Sequence, residues 1–460
     1  MASAAPAPSN WFGQPRGLTI LFLTNMWEQF SYFGMRALLV YYMTTTLLFD
    51  QEKSSSIYGF YTAFAYFTPI VGGVIADRWL GKKAAVIIGA SVMAAGHFMM
   101  AFEPLFYFAL ATIALGNGLF LPTLPSQIND LYGPKDPRRP WAYNVYYVGV
   151  NVGAFMAPLA CGYLGETYGW HYGFGAAGVG MLAGLVIYLL GQGYLPKEHA
   201  VEVQSAPRTT RGRDTFLLLL AIGLAVTVFR GAYEQIGNTF ALWMRDDVNR
   251  TVGGTEIGAA MWFSLNPLLV MVMTPLLLAR WRKQSERGNE LSVMHKMAVG
   301  SLMVAASYLL IALAEVITGE APAHWLWLLS FFVIFTLGEL YILPNGLGIF
   351  ARLAPPKLGA STVAAWYLAI FAGSLAAGQV GRLWSRLDHV AFFVVLAGIA
   401  MLSALLLYLL DRPAKRVLAH TAPDDGADLT DVPEGLARPQ SASGIIGRSG
   451  GHSIKGERHE

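Results

Sequence analysis

A single cysteine, Cys161, stands among 460 residues, which excludes an intrachain disulfide and any multi-cysteine metal site. Charge is also scarce. Asp, Glu, Lys and Arg make up 13% of the chain, about half the share of a soluble globular domain. The opening MASAAPAPSNWFGQPRG lacks the basic n-region and short apolar core of a cleavable signal peptide, so the first apolar segment is expected to stay in the mature chain. No phosphate loop, nucleophile–base pair or metal cluster stands in any loop, which leaves an enzyme reading without support and implies no cofactor. The net charge of +3 comes from basic residues distributed between apolar segments, and it carries no nucleic-acid footprint.

What is abundant is apolar surface. Hydrophobic residues make up 55% of the chain, and stretches near the roughly 20 residues needed to cross a bilayer recur along it. Twelve are read: 17–44, 56–76, 84–103, 105–129, 141–165, 172–195, 215–243, 257–279, 293–317, 323–352, 360–384 and 388–410. The fold class is therefore all-α integral membrane, with the lipid bilayer as its surroundings. Basic clusters follow the even-numbered segments: Lys82 and Lys83; Lys135, Arg138 and Arg139; Arg208, Arg211 and Arg213; Arg280, Arg282, Lys283 and Arg287. Arg352 with Lys357, and Arg412 with Lys415 and Arg416, continue the pattern. By the positive-inside rule both termini are expected in the cytoplasm. The compact loops suit a bacterial inner membrane.

The chain divides into a cytoplasmic segment 1–16, a six-helix bundle 17–195, a polar cytoplasmic linker 196–214, a second bundle 215–411 and a tail 412–460. The tail is too polar to bury a core and is expected to be disordered. The first span is the unusual one, since it carries Glu28 and Arg36. An ionisable group at the membrane centre costs from about 2.5 kcal/mol upward, so it is expected to face a protein-lined pathway. Asn25, Glu28, Gln29, Tyr32 and Arg36 fall on one helix face. A buried structural ion pair is the alternative.

After the second span comes GGVIADRWLGKK, with Gly73, Asp77, Arg78, Gly81 and Lys82 at the positions of the loop signature of the major facilitator superfamily, which it resembles. Gly73 is expected to permit close helix contact, and Asp77 and Arg78 to cap and pair across the junction. Six plus six helices around a central polar cavity is that superfamily's layout. Further segments occur in order: MWEQFSYFGMRALLVYYM (26–43), GNGLFLPTLPSQINDLYGPKDPRR (116–139), YYVGVNVGAFMAP (146–158), AYEQIGN (232–238), SLNP (264–267), TLGELYILPNGL (336–347) and AAWYLAIFAG (364–373). Together they resemble the proton-coupled oligopeptide transporter family over nearly the whole membrane region. The nineteen residues of the linker cannot hold the extra helix pair that many bacterial members insert.

The resemblance implies roles for residues. Arg36 matches the arginine that receives a peptide carboxylate and pairs at the outer gate with a glutamate of the seventh helix, here Glu234. Glu339 matches the acid that receives the ammonium group, and Asn151 and Asn266 match asparagines bonding that end. Tyr32, Phe33, Tyr66, Trp366 and Tyr367 fall where the family has aromatic pocket residues. A dipeptide zwitterion needs one cation, one anion and amide partners held in a preorganised site, which agrees with these roles.

The departures are specific. The family's E-x-x-E-R pattern becomes Asn25, Glu28 and Gln29, and its lysine on the fourth helix becomes Leu121. Glu339 thus loses its expected partner, while Glu28 and Glu339 remain as candidate proton carriers. Arg230 stands where the family has an aromatic residue. Three readings of it stay open: neutralising Glu234 one turn on, binding a substrate anion, or snorkelling at a helix end. His97 is expected to be a core histidine satisfied by a neighbour, and Pro158, Pro267 and Pro344 to kink their helices.

The implied function is a secondary transporter of small peptides or peptide-like carboxylate-bearing solutes, monomeric, with atypical or absent proton coupling. A receptor or scaffold retaining the fold, and a facilitator or exporter of a non-peptide organic anion, are the alternatives.

Overall fold

A computed structural model of the chain describes residues 13–132, 136, 138–196, 213–353 and 359–419. Among them run twelve long helical rods: α1 (Arg16–Thr45), α2 (Gln51–Leu80), α3 (Lys82–Met99), α4 (Phe106–Asp130), α5 (Trp141–Tyr168) and α6 (Trp170–Gly191), then α7 (Arg213–Asp246), α8 (Ala260–Glu286), α9 (Val293–Thr318), α10 (Trp325–Arg352), α11 (Gly359–Gly381) and α12 (His389–Leu409). Ten candidate spans meet the bilayer requirement by length and composition. The other two rods have visible reasons for being less apolar. α1 carries Glu28 and Arg36 in its interior, and α3 is an 18-residue helix opening on Lys82 and Lys83. Two short strand pairs lie outside the helices, Val248–Asn249 with Ala323–His324, and Thr251–Val252 with Thr255–Glu256.

The rods pack as two six-helix halves. α1 lies against α5 and α6, and α4 against α2 and α3; in the second half α9 lies against α10 and α12, and α7 against α11 and α12. The halves meet chiefly along α2 with α11 and α5 with α8. Glycine sets the first of these approaches: a Cβ at Gly59 would fall 2.5 Å from the Cα of Gly378. No larger residue fits there without parting the halves.

Polar contacts between the halves cluster at the end opposite the termini. Gln51 donates to the Gly381 carbonyl (2.8 Å) and Ser55 to Asn238 Oδ1 (2.9 Å). Glu52, at the start of α2, accepts from Arg382 Nη2 at 2.9 Å and from Arg386 Nε at 2.9 Å. Tyr41 donates to the Ala241 carbonyl (3.0 Å), and Glu166 accepts from the Ala260 amide (2.9 Å). That end is therefore closed.

Several expectations change in detail. In the loop motif the close approach belongs to Gly72, whose Cβ would meet the Gly118 carbonyl oxygen at 2.1 Å, whereas a Cβ at Gly73 would make ordinary 3.6 Å contact with Pro122. Asp77 and Arg78 are exposed in a wide π turn, and α3 begins without a side-chain cap. The junction is held instead by Lys82, whose ammonium pairs with Asp130 of α4 at 2.7 Å. Gly81 links the two rods at φ +76°, a conformation that suits glycine. His97 is fully buried, but neither ring nitrogen has a hydrogen-bond partner among the described residues. Residues Asp411–Ala419 form a helix, so the expected tail is corrected at its start. The calls on residues 1–12, on most of the linker (197–212) and on 420–460 lie outside the described residues, as do Lys135, Arg208, Arg211 and Lys357.

Candidate functional site

α7 is where the site is built. Its α-helix gives way to a 3₁₀ turn at Glu234–Gly237, and Glu234 begins that turn. Side chains knit the break together, as nonhelical backbone inside a membrane requires. Gln235 donates to the carbonyls of Gly231 (3.1 Å) and Ala377 (2.8 Å), and its own oxygen accepts from Asn238 (3.1 Å) and Thr239 (2.9 Å).

The turn aims the Glu234 carboxylate at two arginines. Arg36 of α1 donates from Nη2 to Glu234 Oε2 at 2.6 Å and from Nε to the Tyr58 hydroxyl at 2.9 Å. Tyr58 of α2 lies 3.4 Å from the same carboxylate oxygen. Arg230, one turn earlier on α7, donates to Oε1 of Glu234. The Glu234 side chain has no exposed surface, and those of Arg230 and Arg36 keep 3% and 13%. Two positive charges thus share one negative charge, and the cluster carries an excess of one. Of the three readings of Arg230, pairing with Glu234 is what the geometry shows. Burial at 2% exposure overturns the helix-end reading. Its guanidinium also lies over the rings of Tyr66 (5.2 Å) and Tyr233 (4.9 Å), and its Nε has no partner among the described residues.

The second pole is Glu339 of α10. It accepts from the Tyr233 hydroxyl at 2.8 Å and from Asn266 Nδ2 of α8 at 2.7 Å, while Asn266 also reaches Thr336 at 3.0 Å. Neutral donors stand where the resemblance leads one to expect a lysine. Tyr233 therefore touches both poles, its ring under Arg230 and its hydroxyl on Glu339. Glu28 is buried on α1 and accepts from Gln29 at 2.7 Å, and neither it nor Glu339 makes an ion pair among the described residues.

Other candidate residues are placed differently. Asn151 donates to the Tyr147 carbonyl of its own helix at 3.0 Å rather than to Glu339. Trp366 is 4% exposed, packed edge-on against Phe350 at 5.4 Å and close over Gly346, so it forms part of the second half's core. Its neighbour Tyr367 is the residue that stacks on Tyr66 across the halves, with ring centroids 6.4 Å apart. Tyr32 is buried with Phe33 set edge-on to it at 5.3 Å. Two participants escaped the sequence reading, Tyr58 and Tyr233. Tyr58 lies eight residues before Tyr66, on the same helix face, and that spacing was the one available signal.

A family model described as the POT family matches residues 83–203 and 197–395. The chain is 29% identical over 475 residues to an uncharacterized transporter of Bacillus subtilis, covering 89% of this chain and 96% of that one. It is 28% identical to a di-/tripeptide transporter of Lactococcus lactis subsp. cremoris, covering 89% of this chain and 97% of the relative. Among solved structures, a peptide transporter POT in complex with sulfate superposes with TM-score 0.82 at 28% identity, covering 90% and 98% of the two chains. A POT family transporter in complex with 5-aminolevulinic acid superposes with TM-score 0.81 at 25% identity, covering 89% and 98%.

Proposed function

This chain belongs to the POT family, and we propose that it carries small peptides, or peptide-like solutes bearing a carboxylate, across a bacterial plasma membrane by alternating access of its two halves. The observation that carries this reading is the pair of opposed poles joined by Tyr233: the Arg36–Arg230–Glu234 cluster with excess positive charge, and Glu339 without a cation. Such a pair matches the two ends of a zwitterion. Arg36 would take the carboxylate, and Glu339 with Asn266 the ammonium group. Tyr32, Phe33 and Tyr66 would line the space between. The Lactococcus lactis relative is named a di-/tripeptide transporter, and one solved structure holds 5-aminolevulinic acid, a small solute with an amine and a carboxylate; both support the same class of substrate.

With both termini cytoplasmic, the closed end faces outward, and opening it requires parting Arg36 from Glu234 and Glu52 from Arg382 and Arg386. Proton coupling, if present, runs through Glu28 or Glu339, the buried carboxylates held by neutral donors. The transporter works as a monomer, because each half supplies residues to one shared site.

The test is uptake of labelled dialanine into proteoliposomes with and without an inward proton gradient. Gradient-driven accumulation assigns coupling to Glu28 or Glu339, and equilibration without accumulation gives an uncoupled facilitator. Absence of any dialanine flux would overturn the peptide reading.

A further inference from the structure

We propose that Arg230 is a built-in counter-ion of Glu234, a fixed positive charge that takes the place of a proton when the halves part at the closed end; the inference rests on the alternating-access reading above. Arg36 and Glu234 belong to opposite halves, so opening that end must break their 2.6 Å bond. A buried carboxylate that loses its partner is strongly destabilised. In a site with a single cation, that cost would hold the gate shut or draw a proton onto Glu234.

Here the site has two cations with different attachments. Arg36 holds Oε2 from α1, whereas Arg230 holds Oε1 from α7 itself. Arg230 moves as one body with Glu234, four residues away on the same rod. It is also fixed in place. Its Cβ lies against Gly373 of α11, a helix of the same half, and Tyr233 lies under its guanidinium from the same helix. When α1 withdraws, Glu234 therefore keeps one full ion pair and remains ionised.

The groups facing Glu234 leave little else to titrate. They are Arg36 and Tyr32 from α1, Tyr58 from α2, Tyr308 from α9, and Arg230 and Tyr233 from α7. None of these is another carboxylate or a histidine. The unpaired group after opening is Arg36, and an anion on the substrate can satisfy it. Gate opening in this chain is thus linked to substrate charge rather than to protonation of Glu234.

The test uses the full-length protein in lipid nanodiscs, spin-labelled at Leu48→Cys and Thr255→Cys, two exposed positions on opposite halves at the closed end, with buried Cys161 left in place. Label-to-label distance is read from pH 8 to pH 5. The parent is expected to show no pH-dependent opening that Glu234→Gln removes. Arg230→Met is expected to open on acidification, with the open-to-closed ratio rising by up to about tenfold per pH unit, and adding Glu234→Gln should erase that response. This last control separates Glu234 from the Asp247, Glu315 and His389 cluster at the same end. A parent whose acid opening disappears in Glu234→Gln overturns the proposal, and that arm needs no Arg230 variant to fold. A folded Arg230→Met protein as insensitive to pH as the parent overturns it equally. Dialanine flux is measured separately, so loss of the peptide reading leaves the distance result decisive for the counter-ion.

Discussion

Gly373 of α11 lies directly against Arg230 of α7: a Cβ at position 373 would fall 2.4 Å from the Cβ of Arg230 and 2.9 Å from the Thr227 carbonyl oxygen. The arginine can occupy the core of the second half because its neighbour has no side chain. Gly373→Ala must push α11 from α7 or tilt Arg230 off Glu234. The expected loss is about 1–3 kcal/mol, the usual cost of overpacking, together with reduced transport. Thermal unfolding of the purified variant, followed by dialanine uptake, checks both, and an unchanged melting temperature would remove the packing argument.

Arg36 is expected to set carboxylate affinity. Arg36→Ala should weaken dialanine binding about tenfold to a hundredfold, as expected from losing a charge-assisted hydrogen bond of about 1.5–3 kcal/mol. Titration calorimetry with dialanine and with its C-terminal amide separates the causes. The variant should lose most of the parent's preference for the free carboxylate, and a preserved preference would move the carboxylate site elsewhere.

Tyr233→Phe removes one donor to Glu339 while keeping the ring beneath Arg230 and against Phe335, 5.2 Å away. Asn266 remains as a partner of the carboxylate. The loss of one hydrogen bond, about 1 kcal/mol, predicts roughly fivefold weaker substrate binding with little change in stability. An affinity equal to the parent's would mean that Tyr233 does not prepare Glu339 for substrate.

Glu52 collects Arg382 and Arg386 from the turn that follows α11, so it ties the first residues of α2 to the opposite half. Glu52→Gln keeps the size of the side chain and removes the charge. The equilibrium should shift toward separation of the halves at that end, read as a larger label distance and faster modification of a cysteine introduced at Ser55. Identical distances and rates in variant and parent would show that the Glu52 ion pairs do not hold the end closed, leaving that to neighbours such as the Gln51–Gly381 bond and the Gly59–Gly378 contact.

Much of this was visible in the chain. The twelve apolar segments coincide with the twelve rods to within about five residues at each end, apart from α8, which continues beyond residue 279 to Glu286, because length and hydropathy largely decide what can satisfy its backbone in a bilayer. Arg36 was legible as a charged residue in apolar surroundings, where its cost demands a partner; Glu234, Asn266 and Glu339 were marked by the resemblance to the oligopeptide transporter family. Asn151 and Trp366 were less legible. Type and position in a motif do not say whether an amide turns to its own helix or an indole into the core, and the contacts at Tyr147 and Phe350 settled each case.

The sequence by itself determined the span count, the division into two halves and the presence of an arginine one turn before Glu234, since these follow from composition and helical periodicity. Only the tertiary structure decided that Arg230 and Arg36 grip different oxygens of one carboxylate, that Tyr233 joins this cluster to Glu339, and that Glu52 pairs with residues more than 300 positions away. Such relationships depend on how rods from distant parts of the chain pack side by side. Close packing sets them through the shapes of all the neighbours at once, glycine gaps such as Gly373 included, and no local pattern encodes that.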